Sequence, residues 1–269
     1  MRKKLIVLCL LIFSFLSVQT VSAADVDICS AAINARTGGF VGGKNQDKVL
    51  PLASLTKLMT ALVLADLRIN FNKKVVITRA EVDYTRPFVS RGDVTSSIDL
   101  RPGDEVTKRD LWRAMLIASS NEAAVALVDR SGLSRAGFVK RMNRKARALG
   151  LKHTVFTEPS GIDPQNKSTA KEMAVIAKRA FANYYIRQAS VMKAYAFKEL
   201  KTGRRVRIYS RNRSLLAMKP LGMKVGYLTE ARDNCAVRLR KGGKDRIVVI
   251  LHAANTVKRN IEIDRLMKR

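Results

Sequence analysis

The spacing of apolar residues divides the chain into short strands and amphipathic helices. After Pro51, apolar side chains recur at the three- and four-residue spacing of a helix, which is predicted to begin at that proline. Lys57 is the only charged residue between positions 52 and 65. That helix is therefore predicted to be buried on most sides, with a single ammonium group inside it. Residues 28–41 are typical of two strands joined by a tight, glycine-containing turn.

The middle of the chain is predicted to be helical. One apolar helix starts near Lys108 and ends near Ser119, and a second starts at Asn121 or just after it. Ser119 and Asn121 therefore lie at a junction between two helices. The order of strands, helical middle, strands and closing helix predicts an α+β fold, with helices packed on an antiparallel sheet and an all-helical subdomain. The remaining predicted elements are helices at 134–149, 169–181 and from 257, and strands within 194–210, 223–227, 235–240 and 246–252.

The first residues follow the order of a secretory signal peptide: three basic residues, an apolar run at 5–16, and small residues ending at Ala23. The run is shorter than the roughly 20 residues that span a bilayer, so a retained anchor is the less favoured alternative. We expect residues 1–23 to be a signal peptide and residues 24–269 to be one exported domain, periplasmic or extracytoplasmic, without a stable transmembrane anchor. Cys29 and Cys235 remain in that domain, either as a disulfide or as buried thiols.

The chain is strongly basic, with 51 Lys and Arg against 22 Asp and Glu and a net charge of +29. Such a charge attracts polyanions. Export, the scatter of the basic residues over many elements and the low aromatic content argue against nucleic acid as a partner. The expected partners are therefore anionic groups of the cell envelope, carboxylates among them.

Ser54 and Lys57 place a hydroxyl and an amine one helical turn apart. A serine hydroxyl needs a base beside it to act as a nucleophile, and a lysine serves only when it is neutral. Burial and a nearby second cation both lower the pKa of a lysine. The alternative is an ordinary helix that Ser54 caps and from which Lys57 reaches solvent.

Six segments match the sequence pattern of one known family. They are PLASLTKLMTA at 51–61, PGD at 102–104, DL at 110–111, LIASSNEAA at 116–124, FTEPSGI at 156–162 and STA at 168–170. In these segments the chain resembles the low-molecular-mass penicillin-binding proteins, the D-alanyl-D-alanine carboxypeptidase and endopeptidase family of serine D,D-peptidases. The resemblance extends over nearly all of the mature chain and is greatest to the D-alanyl-D-alanine endopeptidase subgroup. It implies a β-lactamase/D,D-peptidase-like fold with about five antiparallel strands, peptidoglycan stem peptides as substrates, binding of β-lactam antibiotics, and neither cofactor nor metal.

The resemblance implies a role for each matching side chain. Ser54 would be the nucleophile and Lys57 its base. Ser119 would relay protons to the leaving amine, and Asn121 would hold the acyl side of the substrate.

The family's Lys-Thr-Gly strand has two candidates here. Residues 201–203 match by letter, but they lie between two predicted strands, where a hairpin turn is the simpler interpretation. Residues 224–227 match by place, because two strands and the closing helix follow them. We favour Lys224, and the hypothesis assigns the match at 201–203 to chance.

On that assignment Lys224 supplies a second cation and attracts the substrate carboxylate. Gly226 lets the substrate backbone approach the strand, and the Tyr227 N–H joins the Ser54 N–H in the oxyanion hole. Val225 departs from the family's threonine, whose hydroxyl would bond the substrate carboxylate.

Other functions fit the sequence less well. A Ser-His-Asp hydrolase or a zinc peptidase is disfavoured, because the only histidines are the widely separated His153 and His252. A class A β-lactamase needs a glutamate that activates water, and the surroundings of Glu158 do not resemble that motif. Val225 suggests a further alternative, a peptidoglycan-binding homologue with weak or no catalysis.

Overall fold

A five-stranded antiparallel sheet forms the centre of the protein. The computed structural model describes residues 28–89 and 95–269, so the predicted signal peptide lies outside the described residues. The strands are β1 (Cys29–Asn34), β2 (Phe40–Lys44), β3 (Leu50–Pro51), β4 (Lys74–Val76), β5 (Glu105–Thr107), β6 (Lys167–Ser168), β7 (Ala194–Lys198), β8 (Arg205–Tyr209), β9 (Gly222–Leu228), β10 (Arg232–Lys241) and β11 (Lys244–Ala253). The central sheet has the order β2-β1-β11-β10-β9, and pairs β3–β6, β4–β5 and β7–β8 form separate ribbons.

The helices of the described ranges are α1 (Thr56–Asp66), α2 (Arg79–Val82), α3 (Lys108–Ile117), α4 (Asn121–Asp129), α5 (Arg135–Ala148), α6 (Ala170–Ala182), α7 (Tyr184–Ser190), α8 (Arg213–Ala217) and α9 (Thr256–Lys268). Of these, α6 packs on one face of the central sheet and α9 on the other. The α+β architecture with a five-stranded antiparallel sheet confirms the fold prediction.

The buried core has two parts, one on each face of the sheet. Side chains alternate along β11, so Ile247 and Val249 pack in the larger cluster with α1, α3 and α6. Val248 and Ile250 point the other way and pack against Ile263 and other apolar residues of α9. β11 is therefore buried on both sides, as the continuous apolar run at 247–251 indicates.

The two cysteines of the domain are buried thiols and do not form a disulfide. Cys29 of β1 pairs with Leu251 and Cys235 of β10 pairs with Ile250, so β11 lies between them. Their side chains also belong to the clusters on opposite faces of the sheet. Two strand spacings amount to about 9–10 Å, beyond the reach of a disulfide.

The prediction that a helix begins at Pro51 was wrong. Pro51 lies in β3, a 3₁₀ turn covers Ala53–Leu55, and α1 starts at Thr56. Hydrogen bonds from elsewhere in the fold hold the chain extended there: Asn234 donates to the Pro51 carbonyl and the Leu52 N–H donates to Asn166. In the described ranges no helix is long and apolar enough to cross a membrane.

Candidate active site

Ser54 lies in the 3₁₀ turn directly before α1, at the edge of a cleft of about 570 Å³. Ala53 has a φ of 48°, a left-handed conformation that is costly for alanine. Such strain persists only where the surrounding structure imposes it, and it is concentrated at functional sites. Here it turns Ser54 toward the cleft while its side chain stays only 9% exposed.

Lys57 is fully buried beneath Ser54, as its lone charge in an apolar helix predicts. Its Nζ lies 3.0 Å from Ser54 Oγ, 2.7 Å from Asn121 Oδ1 and 2.5 Å from the Ser160 carbonyl oxygen. Burial lowers the pKa of Lys57 to about 7, although the carboxylates of Glu158 and Glu122 act in the opposite direction. A large fraction of Lys57 is therefore a neutral amine at neutral pH.

The loop that holds Lys57 is organised by the Glu158 carboxylate. Its oxygens accept hydrogen bonds from the backbone N–H groups of residues 160–162, and Asn166 Nδ2 donates to it at 2.6 Å. Gly161 has a φ of 83°, and a Cβ there would lie 2.0 Å from the Ala53 carbonyl oxygen. The loop therefore packs directly on the Ser54 turn, and this places the Ser160 carbonyl against Lys57.

Ser119 and Lys224 form a second hydroxyl–amine pair at the cleft. Ser119 lies in the break between α3 and α4 with a φ of 62°, and Lys224 Nζ is 2.8 Å from its Oγ. Lys224 is buried at 3% exposure and also donates to the Val225 carbonyl oxygen at 2.7 Å. Burial, with repulsion from Lys57 and Arg211, lowers the pKa of Lys224 well below its usual value.

The strand β9 borders the cleft as an edge of the sheet, since β10 is its only partner in the described residues. A Cβ on Gly226 would lie 2.7 Å from the Ser54 backbone nitrogen, so this glycine is needed for the approach of the Ser54 turn itself. Tyr227 follows with its side chain 71% exposed at the cleft. An edge strand presents unpaired N–H and C=O groups, so β9 is able to pair with an extended peptide.

Residues 17–255 match the family described as D-alanyl-D-alanine carboxypeptidase. The chain belongs to that family. A D-alanyl-D-alanine carboxypeptidase of Bacillus subtilis is 30% identical over 237 residues, 87% of this chain and 59% of the relative. A D-alanyl-D-alanine endopeptidase of Pseudomonas aeruginosa is 35% identical over 147 residues, 54% of this chain and 45% of the relative. The chain thus spans less than two thirds of the length of each of these relatives.

The fold agrees with a solved structure of the same kind. The crystal structure of a Streptomyces DD-transpeptidase superposes with a TM-score of 0.81 at 30% identity, and the match covers 90% of this chain and 96% of the other. This agreement confirms the predicted β-lactamase/D,D-peptidase-like architecture. The prediction of a D-alanyl-D-alanine peptidase family is confirmed as well.

All seven residues named from sequence lie at one place in this family member. Six of them line the cleft and Lys57 lies directly below it. Lys201 does not: it lies in the turn between β7 and β8, exposed, with its Nζ 3.0 Å from the Gly103 carbonyl oxygen. The six residues at the cleft are Ser54, Ser119, Asn121, Lys224, Gly226 and Tyr227.

Sequence reasoning missed two buried carboxylates beside Lys57. The sequence suggests Glu158 only as a possible base for water, whereas the structure shows its carboxylate accepting the hydrogen bonds that shape a loop. Glu122 is 4% exposed, accepts a hydrogen bond from Ser120 Oγ at 2.8 Å, and has a pKa raised by burial. The sequence does indicate that Glu122 is buried, because it is the only charged residue in a largely apolar stretch from 114 to 128.

Proposed function

We propose that this chain is a serine D,D-peptidase that cleaves D-alanyl peptide bonds of peptidoglycan stem peptides, as a carboxypeptidase or endopeptidase, through an acyl-enzyme at Ser54. The observation that carries the proposal is the contact of 3.0 Å between Ser54 Oγ and a buried Lys57 whose pKa is about 7. Penicillins, whose strained amide is attacked in the same way, are expected to acylate Ser54. Action on peptidoglycan requires an extracytoplasmic location.

The partners of Lys57 support its role as the base. A neutral amine has two N–H donors and one lone pair. Asn121 Oδ1 and the Ser160 carbonyl accept the two N–H bonds, so the lone pair is directed at Ser54. The Ser54 hydroxyl then donates its proton to Nζ as its oxygen forms a bond to the substrate carbonyl carbon.

Collapse of the resulting oxyanion breaks the C–N bond, and the leaving amine needs a proton. Ser119 Oγ is the candidate donor, and Lys224 Nζ at 2.8 Å replaces the proton that it gives. We assign the backbone N–H groups of Ser54 and Tyr227 to the oxyanion, since both lie at the cleft beside the start of α1. Water then attacks the ester carbonyl, and its proton passes through Ser119 to Lys224, which restores the proton lost in acylation. The C–O bond to Ser54 breaks as the proton on Lys57 returns to the Ser54 oxygen.

The hydrogen bonds of Glu158 argue against a β-lactamase. Both of its oxygens accept hydrogen bonds within the protein, one from Ser160 and Tyr84 and the other from Gly161, Ile162 and Asn166. A carboxylate used in this way has no free oxygen with which to activate a deacylating water. The proposed enzyme therefore forms a long-lived penicilloyl ester.

Two measurements on the unmodified protein test the proposed function. A fluorescent penicillin should label the protein covalently, and incubation with a peptide ending in D-Ala-D-Ala, or with cross-linked peptidoglycan fragments, should release D-alanine or separate the linked stems. A protein that binds the fragments but shows neither labelling nor cleavage would instead be the binding homologue.

Val225 is the position where a single hydroxyl should change substrate affinity. Its side chain is half-buried against the apolar cluster beneath α9, yet the residue borders the cleft. We expect Val225→Thr to raise the second-order acylation rate about tenfold, because a hydrogen bond to a carboxylate is worth roughly 1.5–3 kcal/mol and part of this is lost by burying the hydroxyl. The rate is measured with one β-lactam and one D-Ala-D-Ala peptide.

Thr229 provides the control for this experiment. It lines the cleft in the turn directly after β9 and offers a hydroxyl four residues from Val225. If Thr229→Val lowers acylation while Val225→Thr has no effect, the substrate carboxylate is bound by Thr229 and the role given to position 225 is wrong.

A further inference from the structure

The exposed face of the β7–β8 hairpin carries a row of cations. In β8, Arg205, Arg207 and Tyr209 are exposed, whereas Val206 and Ile208 between them are 2% exposed. Successive side chains of a strand point to opposite faces. The two apolar side chains therefore hold the hairpin on the protein body, and the three exposed ones share its outer face.

The neighbouring strand adds a cation and leaves the rest of this face open. Across the ribbon, Lys198 is the direct partner of Arg205, while Ala196 faces Arg207. Like charges directly opposite each other destabilise a strand pair. The small alanine leaves the guanidinium of Arg207 uncovered on its side of the ribbon.

The protein does not neutralise these cations itself. Among the residues that the structure describes, neither Lys198 nor Arg205 nor Arg207 forms an ion pair, although Arg204 in the same hairpin pairs with Asp99 and Asp104. The repulsion between Lys198 and Arg205 is therefore not relieved within the fold. An anion from outside would relieve it.

The row leads into the proposed active site. Two residues beyond Tyr209, Arg211 lines the cleft, and its charge acts on both Lys224 and Glu122. β8 ends at Tyr209, so at about 3.3 Å per residue Arg205 lies at most about 20 Å from Arg211 along the chain. A ligand of several residues that is held in the cleft is long enough to reach the hairpin.

We propose that Lys198, Arg205 and Arg207, here called the cationic hairpin face, bind carboxylates of the substrate peptide that extends out of the cleft past Arg211. This inference rests on the proposed function, because it takes the acidic stem peptide as the ligand. Complementary charge on such a face raises the rate of encounter and selects among ligands. The face thus selects acidic over amidated stem peptides.

The test compares two synthetic peptides of equal length that end in D-Ala-D-Ala. One has free side carboxylates upstream of that end, and in the other these groups are amidated. In the double variant Arg205→Glu/Arg207→Glu, kcat/KM for the acidic peptide should fall about tenfold. The values for the amidated peptide and for acylation by a small penicillin should stay within about twofold of the parent.

A double variant of α5, Arg144→Glu/Arg147→Glu, is the matched control. Both arginines are exposed, neither forms an ion pair in the described part of the chain, and the net charge changes by the same amount. If kcat/KM for the acidic peptide falls equally in the two double variants, the effect comes from the overall charge. If it does not fall in the hairpin variant, the cationic hairpin face does not bind the substrate. Either result overturns the inference.

Direct binding separates this inference from the proposed function. Fluorescence anisotropy of a labelled acidic peptide reports on the hairpin face without any turnover. Absence of penicillin labelling in the parent would refute catalysis at Ser54, whereas anisotropy unchanged by the hairpin variant would refute only the cationic face. Inorganic polyphosphate is the competing ligand. If the parent binds it more tightly than the acidic peptide, and the hairpin variant loses that binding, the face binds phosphate groups and the inference is overturned.

Discussion

Replacing Lys57 with methionine is expected to reduce acylation by penicillin about 10³-fold or more while the protein stays folded. General-base catalysis alone contributes about 10²–10⁴-fold. Methionine is close to lysine in length and suits the apolar surroundings of α1, where positions 56–64 are all buried. The second-order acylation rate is measured together with the thermal unfolding midpoint. An acylation rate of Lys57→Met within about tenfold of the parent rate would show that Lys57 is not the base.

The pH dependence of the parent provides an independent check on the same group. Lys57 acts as a base only when it is neutral, and its pKa is lowered to about 7. The acylation rate should therefore rise with pH through about 7 and level off above it, and the residual rate of Lys57→Met should lack this step. A matched control is Lys171→Met, which changes a surface lysine at the start of α6 and should leave the profile unchanged.

Replacing Lys224 with alanine is expected to reduce acylation about 10²-fold or more. The change removes the amine that lies 2.8 Å from Ser119 Oγ, the group that we propose returns a proton to Ser119 and attracts the substrate carboxylate. Lys201→Ala is the control, because it removes the same group from the competing motif. Its side chain is exposed, so the free energy of unfolding should change by at most about 0.5 kcal/mol and acylation should not change.

The reverse result would contradict the assignment of the family's Lys-Thr-Gly strand to residues 224–227. If Lys201→Ala abolishes acylation and Lys224→Ala does not, the β7–β8 turn belongs to the active site. The contacts of Lys201 argue against that result, because its Nζ donates to the Gly103 carbonyl oxygen and to no residue of the Ser54 turn.

The parts of the site that were predictable from sequence are those set by local structure. Lys57 stands out because a single cation in an apolar helix needs a reason, and Ser54 lies one turn before it. The break between two apolar helices likewise placed Ser119 and Asn121 together. Identifying Lys224 also required the order of the predicted strands, because residue identity alone favoured the Lys-Thr-Gly sequence at 201–203.

The parts that could not be predicted depend on contacts between distant residues. The Ser160 carbonyl reaches Lys57 only because Glu158 accepts several backbone N–H bonds and Asn166 closes the loop. Nothing in the local sequence specifies that geometry. Helix α7 was missed for another reason: it has seven residues with two exposed tyrosines, and it begins where Asn183 caps two N–H groups.

Intact-protein mass spectrometry after incubation with penicillin tests the central claim most directly. The account predicts one penicilloyl adduct on the parent, mapped by peptide digestion to Ser54, and no adduct on Ser54→Ala, which keeps the parent's unfolding midpoint because only a hydroxyl at the cleft edge is lost. A stable adduct on folded Ser54→Ala, or an adduct mapped to another residue of the parent, would contradict the account.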